Sequence, residues 1–217
     1  MTKSCVSIID YGLGNLFSVK RALETCGAAE IRIASTAAEI LNADRLVIPG
    51  VGAFQDGMEG LERHGMSSAI KEFASLGRPV LGICLGMQLL ATSGSEFGEH
   101  KGLDIIPGHV VRIPMIDESG ATLKSPFIGW STLDRHPSPE NLDNPISCMN
   151  PLDAIYLVHS FHYVPNSEAD ILATYRYGSH AITAAIKSRN VTGLQFHPEK
   201  SGKVGLKILS HFLQTAV

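Results

Sequence analysis

The sequence has 217 residues, of which 44% are hydrophobic and 18% are charged, so it can bury a sizeable core and is not an intrinsically disordered chain. Its 18 basic and 21 acidic residues leave a net charge of −3, and no basic stripe is present, which argues against nucleic acid as a partner. The longest apolar run, 80–91, is too short to span a bilayer.

The compartment and redox chemistry follow from the N-terminus and the cysteines. Asp10 interrupts the first apolar run before it could serve as a leader peptide, so we expect a cytoplasmic protein. Cys5, Cys26, Cys84 and Cys148 are far apart and fit neither a disulfide framework nor a zinc ribbon. We expect no metal and no cofactor.

The first half of the chain alternates short apolar runs with helical periodicity. In chain order the predictions are a strand at 6–10, a helix at 15–26, a strand at 31–34, a helical turn at 36–41, a strand at 45–48, a helix at 58–74 with Gly65 as a candidate break, a strand at 79–83 and a helix at 85–91. This alternation predicts a parallel sheet with right-handed crossovers.

The second half is richer in β-structure, with Pro and Gly between the segments. Antiparallel or mixed strands are predicted at 109–113, 155–158, 171–177, 180–187 and 191–196, a surface loop at 134–151, and a closing helix at 203–213. The predicted fold is a three-layer α/β/α arrangement with a central, mostly parallel sheet and a smaller β-rich section, in a single domain over 1–217.

The segment 82–86 reads Gly-Ile-Cys-Leu-Gly where a buried strand turns into a helix. This pattern is a nucleophile elbow with Cys in place of Ser, and the flanking glycines leave room for the sharp turn. A helix that begins at Leu85 favours the thiolate of Cys84, and the Leu85 N–H can serve as an oxyanion donor. The alternative is an inert cysteine in the core.

His197 and Glu199 lie two residues apart at the end of the last predicted strand. Pro198 favours an extended conformation of His197, and residues two apart in extended chain face the same side. Glu199 can then fix the tautomer of His197, whose other nitrogen accepts the proton of Cys84. Because ligands of parallel sheets bind at the carboxyl ends of strands, we predict a Cys-His-Glu catalytic triad rather than a surface His–Glu pair.

A third segment, 49–54, reads Pro-Gly-Val-Gly-Ala-Phe after a predicted strand. The glycines free the backbone to point the Val51 N–H at a developing oxyanion. No Gly-Lys-Ser/Thr follows, which disfavours a phosphate loop. We hypothesise that this loop is misaligned in the isolated chain and completes the oxyanion hole when a partner binds; otherwise it is an ordinary strand-to-helix turn.

These motifs resemble those of the class I, triad-type glutamine amidotransferases. Similarity to one branch of that family, the glutaminase subunits of imidazole glycerol phosphate synthase, runs nearly end to end through the segments 8–16, 49–52, 82–88, 129–130, 159–161 and 195–201. The resemblance implies a flavodoxin-like core and hydrolysis of glutamine to glutamate and ammonia. It implies that Cys84, His197 and Glu199 are the catalytic residues and that Val51 and Leu85 form the oxyanion hole.

The resemblance also implies substrate contacts and a partner. The contacts with glutamine are expected from Gly50, Gly52, Gln88, Glu96 and the backbone of Ser160 and Phe161. Ammonia would pass to a barrel-shaped cyclase subunit that makes imidazole glycerol phosphate and aminoimidazole carboxamide ribonucleotide in histidine biosynthesis. Gly129 and Trp130 are expected to face that subunit.

One departure from the family pattern supports an alternative function. Where the family has Pro-His-hydrophobic-Gly-Trp-Asn, residues 126–131 read Pro-Phe-Ile-Gly-Trp-Ser, so that Phe127 and Ser131 replace the two polar residues. The alternative is a paralogous glutaminase that feeds ammonia to a different synthase, such as one that adds an amidino group to a surface sugar.

Three other classes of protein are weaker alternatives. A dinucleotide-binding module would use Gly12 and Gly14, but Phe17 stands at the third glycine position. A zinc hydrolase would use Cys84 and His197 with His159 and His162, which are expected to face opposite sides of a strand. A stress chaperone or peptidase with the same elbow would lack the late His-Pro-Glu.

Overall fold

The computed structural model describes residues 5–136 and 144–215. The strands are β1 (Cys5–Ile9), β2 (Glu30–Ala34), β3 (Arg45–Ile48), β4 (Val80–Ile83), β5 (Ser93–Gly94), β6 (His100–Lys101), β7 (Gly108–Arg112), β8 (Phe127–Thr132), β9 (Asp134–Arg135), β10 (Ala154–His159), β11 (Phe161–Pro165), β12 (Ile171–Tyr177), β13 (His180–Ser188) and β14 (Val191–Leu194). The α-helices are α1 (Leu16–Thr25), α2 (Ala37–Leu41), α3 (Phe54–Arg63), α4 (Met66–Ser75), α5 (Leu85–Gln88) and α6 (Gly202–Gln214).

The central sheet has the strand order β2-β1-β3-β4-β14-β13-β12-β9. The first five strands are parallel, whereas β13, β12 and β9 are added antiparallel at one edge. The parallel part has the flavodoxin-like order, in which the chain winds first to one side of β1 and then to the other. The predicted α/β class is therefore confirmed, with the sheet parallel in its first five strands and mixed as a whole.

The two faces of the sheet are covered by different helices, which makes the fold three-layered. On one face α1 and α6 bury side chains such as Leu23 and Ile208. On the other face α2, α3 and α4 bury Ile40, Leu61 and Phe73. Among the strands between them, β1 and β4 read as nearly continuous apolar runs because they are covered on both sides.

Of the strands predicted in the second half, those at 109–113 and 155–158 lie in two smaller sheets, whereas those at 171–177, 180–187 and 191–196 join the central sheet as β12, β13 and β14. One of the smaller sheets has the order β11-β7-β5-β6, and the other pairs β8 with β10 antiparallel. Ser160 alone separates β10 from β11, so the chain changes sheets at that residue. This change of direction lies beside the pocket described below.

Two predicted helix boundaries are wrong, each for an identifiable reason. The helix expected over 58–74 begins four residues earlier, and it divides at Gly65, which adopts a left-handed conformation with φ 64°. The helix expected over 85–91 ends at Gln88. The carbonyls of Leu89, Leu90 and Ala91 accept hydrogen bonds from the backbone of 103–106, so tertiary contacts replace further helical ones.

The predicted loop over 134–151 contains regular structure at both ends. Asp134 and Arg135 pair with β12 as β9, and Pro145–Cys148 form a 3₁₀ turn whose Ile146 is buried. The rest of that prediction, 137–143, lies outside the described residues. The four cysteines are free, and within 5–136 and 144–215 every helix is too short or too polar to cross a membrane.

Candidate active site

Three chemically distinctive segments meet at one edge of the sheet. β3, β4 and β14 are adjacent and parallel, with Leu81 paired to Val47 on one side and to Thr192 on the other. Their carboxyl ends lead into residues 49–53, hereafter the glycine loop, into Cys84, and into the segment 195–199. Sheet topology therefore assembles segments that are more than a hundred residues apart in the sequence.

Cys84 occupies a strained turn directly after β4. Its backbone has φ 54° and ψ −111°, a conformation that costs a non-glycine residue about 1–3 kcal/mol. The surrounding hydrogen bonds hold it there: Cys84 N–H donates to the Leu194 carbonyl at 2.7 Å, and the Cys84 carbonyl accepts from Met87 and Gln88. The elbow predicted from the sequence is thus present, with the cysteine at its strained position.

The two glycines of the elbow are required by close packing. A Cβ on Gly82 would lie 2.7 Å from the carbonyl oxygen of Gly86. A Cβ on Gly86 would collide with the carbonyl oxygen of Ile48 on β3. The short helix α5 therefore packs against the ends of β3 and β4 more closely than any side chain would allow.

His197 is buried and paired with Glu199. The Nδ1–H of His197 donates to Glu199 Oε1 at 2.7 Å, and both side chains are almost fully inaccessible to solvent. Burial lowers the pKa of His197, but its interactions with Cys84 and Glu199 outweigh that effect and raise the pKa to about 9. Among the described residues Nε2 has no hydrogen bond of good geometry, so it is available to exchange a proton with the Cys84 side chain.

The backbone of His197 is held independently of its side chain. Its N–H donates to the Tyr156 carbonyl at 3.0 Å, and its carbonyl accepts the Ser201 hydroxyl at 2.7 Å. Ser201 Oγ also accepts the Tyr156 N–H. The imidazole is therefore oriented by β10 as well as by Glu199.

A second set of polar contacts reaches the sulfur through Gln195. Gln195 Nε2 lies 3.8 Å from Cys84 Sγ, and Gln195 Oε1 accepts from Gln88 Nε2 at 3.0 Å. Gln88 Nε2 also donates to the Phe161 carbonyl at 3.0 Å. This buried chain connects the nucleophile to the turn between β10 and β11.

These groups open onto a pocket of about 360 Å³. Its lining is Val51, Gly52, Cys84, Leu85, Gln88, Glu96, Pro126, Val158, His159, Ser160, Phe161 and His197. Most of the residues predicted from the sequence to form the site are therefore brought together on its surface. A larger, open groove of about 780 Å³ lies elsewhere, around Lys71 and Arg189, and contains none of them.

The remaining predicted site residues lie behind or beside the pocket. Gly50 packs against Tyr11 and Leu85, where a Cβ would overlap the Tyr11 hydroxyl, and that hydroxyl donates to the Pro49 carbonyl at 2.7 Å. Gly129 and Trp130 lie on β8, and Trp130 is 57% exposed. Its ring packs edge to face against Tyr156.

Glu96 links the pocket to the glycine loop. Its Oε2 accepts the Phe54 N–H at 2.9 Å, which caps the first turn of α3. The predicted site therefore has a carboxylate that faces the pocket while it fixes the end of the loop that carries Val51.

His159, Tyr175 and Gln195 are functional candidates that sequence reasoning did not assign. Gln195 was recoverable, because it precedes His197 by two residues and faces the same side of an extended segment. The sequence offers His159 as part of the 159–161 segment and as a zinc ligand, without a role in the glutaminase site; in the structure it bonds to Tyr175 and Phe161. Among the described residues no group of three or more His, Cys, Asp or Glu side chains could hold a metal ion.

The comparison with protein families and curated proteins agrees with these motifs. The model of the class-I glutamine amidotransferase family matches residues 7–216. "Imidazole glycerol phosphate synthase subunit HisH 1" of Legionella pneumophila (strain Paris) is 49% identical over 212 residues, which cover 97% of this chain and 99% of that protein. The HisH subunit of Geobacter sulfurreducens is 44% identical over 213 residues, 98% of each chain.

Solved structures show the same fold at lower sequence identity. PurLQS from Thermotoga maritima has a TM-score of 0.71 at 21% identity, covering 98% of this chain and 99% of that one. A putative GMP synthase subunit from Thermoplasma acidophilum has a TM-score of 0.69 at 17% identity, covering 99% and 94%. The family match and the near full-length identity together establish that this chain belongs to the class-I glutamine amidotransferases, in the branch of the HisH subunits of imidazole glycerol phosphate synthase.

Proposed function

We propose that this chain, the glutaminase subunit of an imidazole glycerol phosphate synthase, releases ammonia from glutamine at Cys84. The observation that carries the mechanism is the meeting of Cys84 with the buried His197–Glu199 pair at the ends of the adjacent strands β4 and β14. The name shared by the curated relatives favours this function in histidine biosynthesis over a paralogue that serves another synthase.

The first half of the reaction forms a thioester. Cys84 gives its thiol proton to His197 Nε2, and Sγ then attacks the side-chain carbonyl carbon of glutamine. The negative charge that develops on the carbonyl oxygen is bound by the backbone N–H groups of Val51 and Leu85. His197 then gives its proton to the leaving nitrogen, and ammonia departs.

The second half returns the enzyme to its starting state. His197 Nε2 removes a proton from a water molecule, which attacks the glutamyl thioester. The oxyanion occupies the same two N–H groups, and the Cys84 sulfur leaves and recovers the proton. Glu199 holds the imidazole in one tautomer and stabilises its charged form in both halves.

Glutamine is held by groups that line the rest of the pocket. Glu96 provides a negative charge for the α-ammonium group, and Gln88 and the backbone of Ser160 and Phe161 contact the α-carboxylate end. Within the glycine loop, Gly52 leaves room for the side chain of glutamine, and Gly50 anchors the loop against the residues behind it. We assign these contacts from the pocket lining together with the family resemblance.

We further propose that the outer face of the β8–β10 sheet docks the cyclase subunit. Ile128 is 61% exposed and Trp130 is 57% exposed on β8, opposite Val158 and Tyr156 of β10. This apolar face adjoins the pocket because Val158 belongs to both. A cyclase barrel bound there would receive ammonia with little exposure to solvent, and aromatic residues are typical of the buried centres of interfaces.

The departure at Phe127 does not alter that face. Its ring points away from Trp130, which alternates with it along the strand, and packs against Tyr175 and Tyr177.

The proposed protein is one glutamine amidotransferase domain over 1–217 that works in the cytoplasm. It uses glutamine as its substrate and requires no cofactor of its own.

The test is glutamate release from glutamine by the purified chain, alone and with a histidine-pathway cyclase subunit plus a ligand of its active site. We expect strong stimulation by the liganded cyclase, because the glycine loop would then complete the oxyanion hole. A W130A variant should lose the stimulation while keeping the basal rate. Equal activity of the chain alone and in the complex would overturn the proposed control by the loop.

A further inference from the structure

The turn between β10 and β11 is closed by the side chain of His159. Its Nδ1 lies 2.8 Å from the carbonyl oxygen of Phe161, two residues further along the chain. Its Nε2 lies 2.9 Å from the hydroxyl of Tyr175 on β12. Both side chains are buried, and His159 lines the pocket. The imidazole is thus bonded on both edges and takes no part in the proton transfers assigned to His197.

The partners of His159 determine where its proton lies. A carbonyl oxygen can only accept, so Nδ1 carries the hydrogen that bonds to Phe161. Burial lowers the pKa of His159 to about 4, so the ring is neutral near pH 7 and Nε2 is an acceptor. Burial also raises the pKa of Tyr175, so its hydroxyl stays protonated and donates a hydrogen bond to Nε2.

The carbonyl that His159 fixes is also the carbonyl that orients Gln88. Both hydrogens of the Gln88 amide are used, one on Phe161 and one on Gln195. If the Phe161 carbonyl moved, Gln88 would lose a partner or move with it, because an unpaired buried donor costs about 1–3 kcal/mol. His159 is therefore mechanically connected to a side chain assigned to glutamine binding.

An aromatic ring holds the pair in place. The ring centroid of Phe127 lies 5.0 Å from that of Tyr175 and 6.4 Å from that of His159. Phe127 is one of the two departures from the family pattern, and it fills the space beside both rings with an apolar group that offers no competing hydrogen bond. The Tyr175 hydroxyl is thereby left to His159.

We propose that His159, held by Tyr175, is a positioning residue for glutamine recognition. It sets the Phe161 carbonyl, and through it the Gln88 amide and the Ser160–Phe161 backbone that receive the α-carboxylate end of glutamine. This inference rests on the proposed glutaminase function. Loss of the His159–Phe161 bond weakens binding of glutamine-like molecules and leaves the Cys84 sulfur as reactive as before toward reagents that lack the α-amino and carboxylate groups.

Two amide substitutions of His159 distinguish the contribution of its Nδ1 bond from that of its Nε2 bond. H159N places an amide nitrogen near the position of Nδ1 and keeps a donor for Phe161, whereas H159Q places its amide near Nε2 and loses that donor. The full-length variants are treated with a chloroketone analogue of glutamine and, separately, with iodoacetamide. Labelling of Cys84 is followed by mass spectrometry. KM for glutamine is measured in parallel.

We expect H159Q to raise KM and the half-saturating analogue concentration about tenfold, the factor that corresponds to about 1.4 kcal/mol for one lost buried hydrogen bond. H159N should remain within about threefold of the parent, and Y175F should raise both constants by about threefold, since it removes one hydrogen bond between neutral groups and leaves the bond to Phe161 in place. Iodoacetamide should label Cys84 at the parent rate in all three variants.

His162 provides the matched control. It is an equally buried imidazole on β11, and its Nδ1 has no hydrogen-bond partner within 5–136 and 144–215. H162A should lose stability yet keep the analogue constant of the parent.

Unchanged constants for H159Q and Y175F, or an equal fall in iodoacetamide labelling, would overturn the positioning role. If H159Q does not fold, the constants of Y175F test the positioning role, and unchanged values overturn it. If the parent chain reacts with iodoacetamide but never with the analogue, the glutaminase proposal itself fails. The positioning role alone fails if the analogue labels the parent and all variants equally well.

Discussion

The two walls of the pocket are built in opposite ways. On one wall Cys84, Gln88, Gln195 and His197 are buried, and hydrogen bonds join the first three to the Phe161 carbonyl. The other wall is the glycine loop, where Val51 is 41% exposed. The first wall, hereafter the polar wall, is organised before the substrate arrives, as a site that stabilises charge must be.

The glycine loop is fixed mainly at its ends. Tyr11 holds the Pro49 carbonyl and Glu96 holds the Phe54 N–H. Between them, Gly52 has φ 115° and no atom within 4 Å of where its Cβ would lie. Few packed contacts and an exposed backbone are typical of segments that open at low free-energy cost. In the proposed mechanism the polar wall supplies reactivity and substrate contacts, whereas the loop is suited to control.

The strongest test of the polar wall is removal of its nucleophile. C84A should lower glutamate release by at least about a thousandfold, because no other group can form the thioester. The folded state should persist, because Ala keeps the Cβ and the backbone conformation of the elbow at φ 54° and only a sulfur atom is removed. Activity and thermal unfolding are measured on the same preparation. Persistent glutamate release by C84A would refute the mechanism.

Glycine substitutions contrast the two walls directly. G86A should lower the free energy of unfolding by about 3 kcal/mol or more. Its Cβ would collide with the Ile48 carbonyl oxygen, and the packed backbone there has no room to move. G52A should cost about 1 kcal/mol of backbone strain and lower kcat instead, because its Cβ meets no neighbour and the exposed loop can change conformation to relieve the positive φ.

Urea unfolding and glutamine hydrolysis distinguish the two outcomes. G129A, at a β8 position where the nearest atom would be 3.7 Å from the new Cβ, is the matched control and should keep the parent's stability. Equal losses of stability in G86A and G52A would contradict the contrast between a packed elbow and an adjustable loop.

A smaller effect is expected when Gln195 is replaced, which removes the hydrogen bonds between Gln88 and the Cys84 sulfur. Q195L removes the donor near Cys84 Sγ and leaves Gln88 with an unpaired hydrogen. That loss is worth about 1–3 kcal/mol, or roughly 10–100-fold in kcat/KM. The ratio is measured at saturating and subsaturating glutamine. A Q195L variant with the parent's kcat/KM would mean that Gln195 only fills space.

The sequence predicted the polar wall's chemistry better than its hydrogen bonds. Cys84 and the His197–Glu199 pair were accessible because local patterns mark an elbow and an extended strand end, and the α/β class followed from the alternation of elements. The bonds from Gln88 to Phe161 and Gln195 span 73 and 107 positions, so no local pattern contains them. The same holds for the early start of α3, which depends on the distant carboxylate of Glu96.

The last expected effect is a gradual one, the pH dependence of stability that the polar wall creates. His197 has a pKa of about 9 in the folded chain and 6.5 as its ordinary value, so the folded state binds the proton more tightly. The resulting stabilisation is complete below pH 6.5, and it is lost as the pH rises through about 9. We expect the free energy of unfolding to fall by about 1–3 kcal/mol over that interval.

Urea unfolding under reducing conditions at pH 6, 7.5 and 9 measures this fall, and H197Q is the matched variant because it removes the titrating ring and keeps a polar side chain. The slope should flatten in H197Q and, to a lesser degree, in E199Q, where Nδ1 loses its charged partner. The glycine loop contains no titratable side chain, so G52A should keep the parent's slope. If H197Q retained the full slope, the pH dependence would originate outside the polar wall, and the contrast between the walls would rest on packing alone.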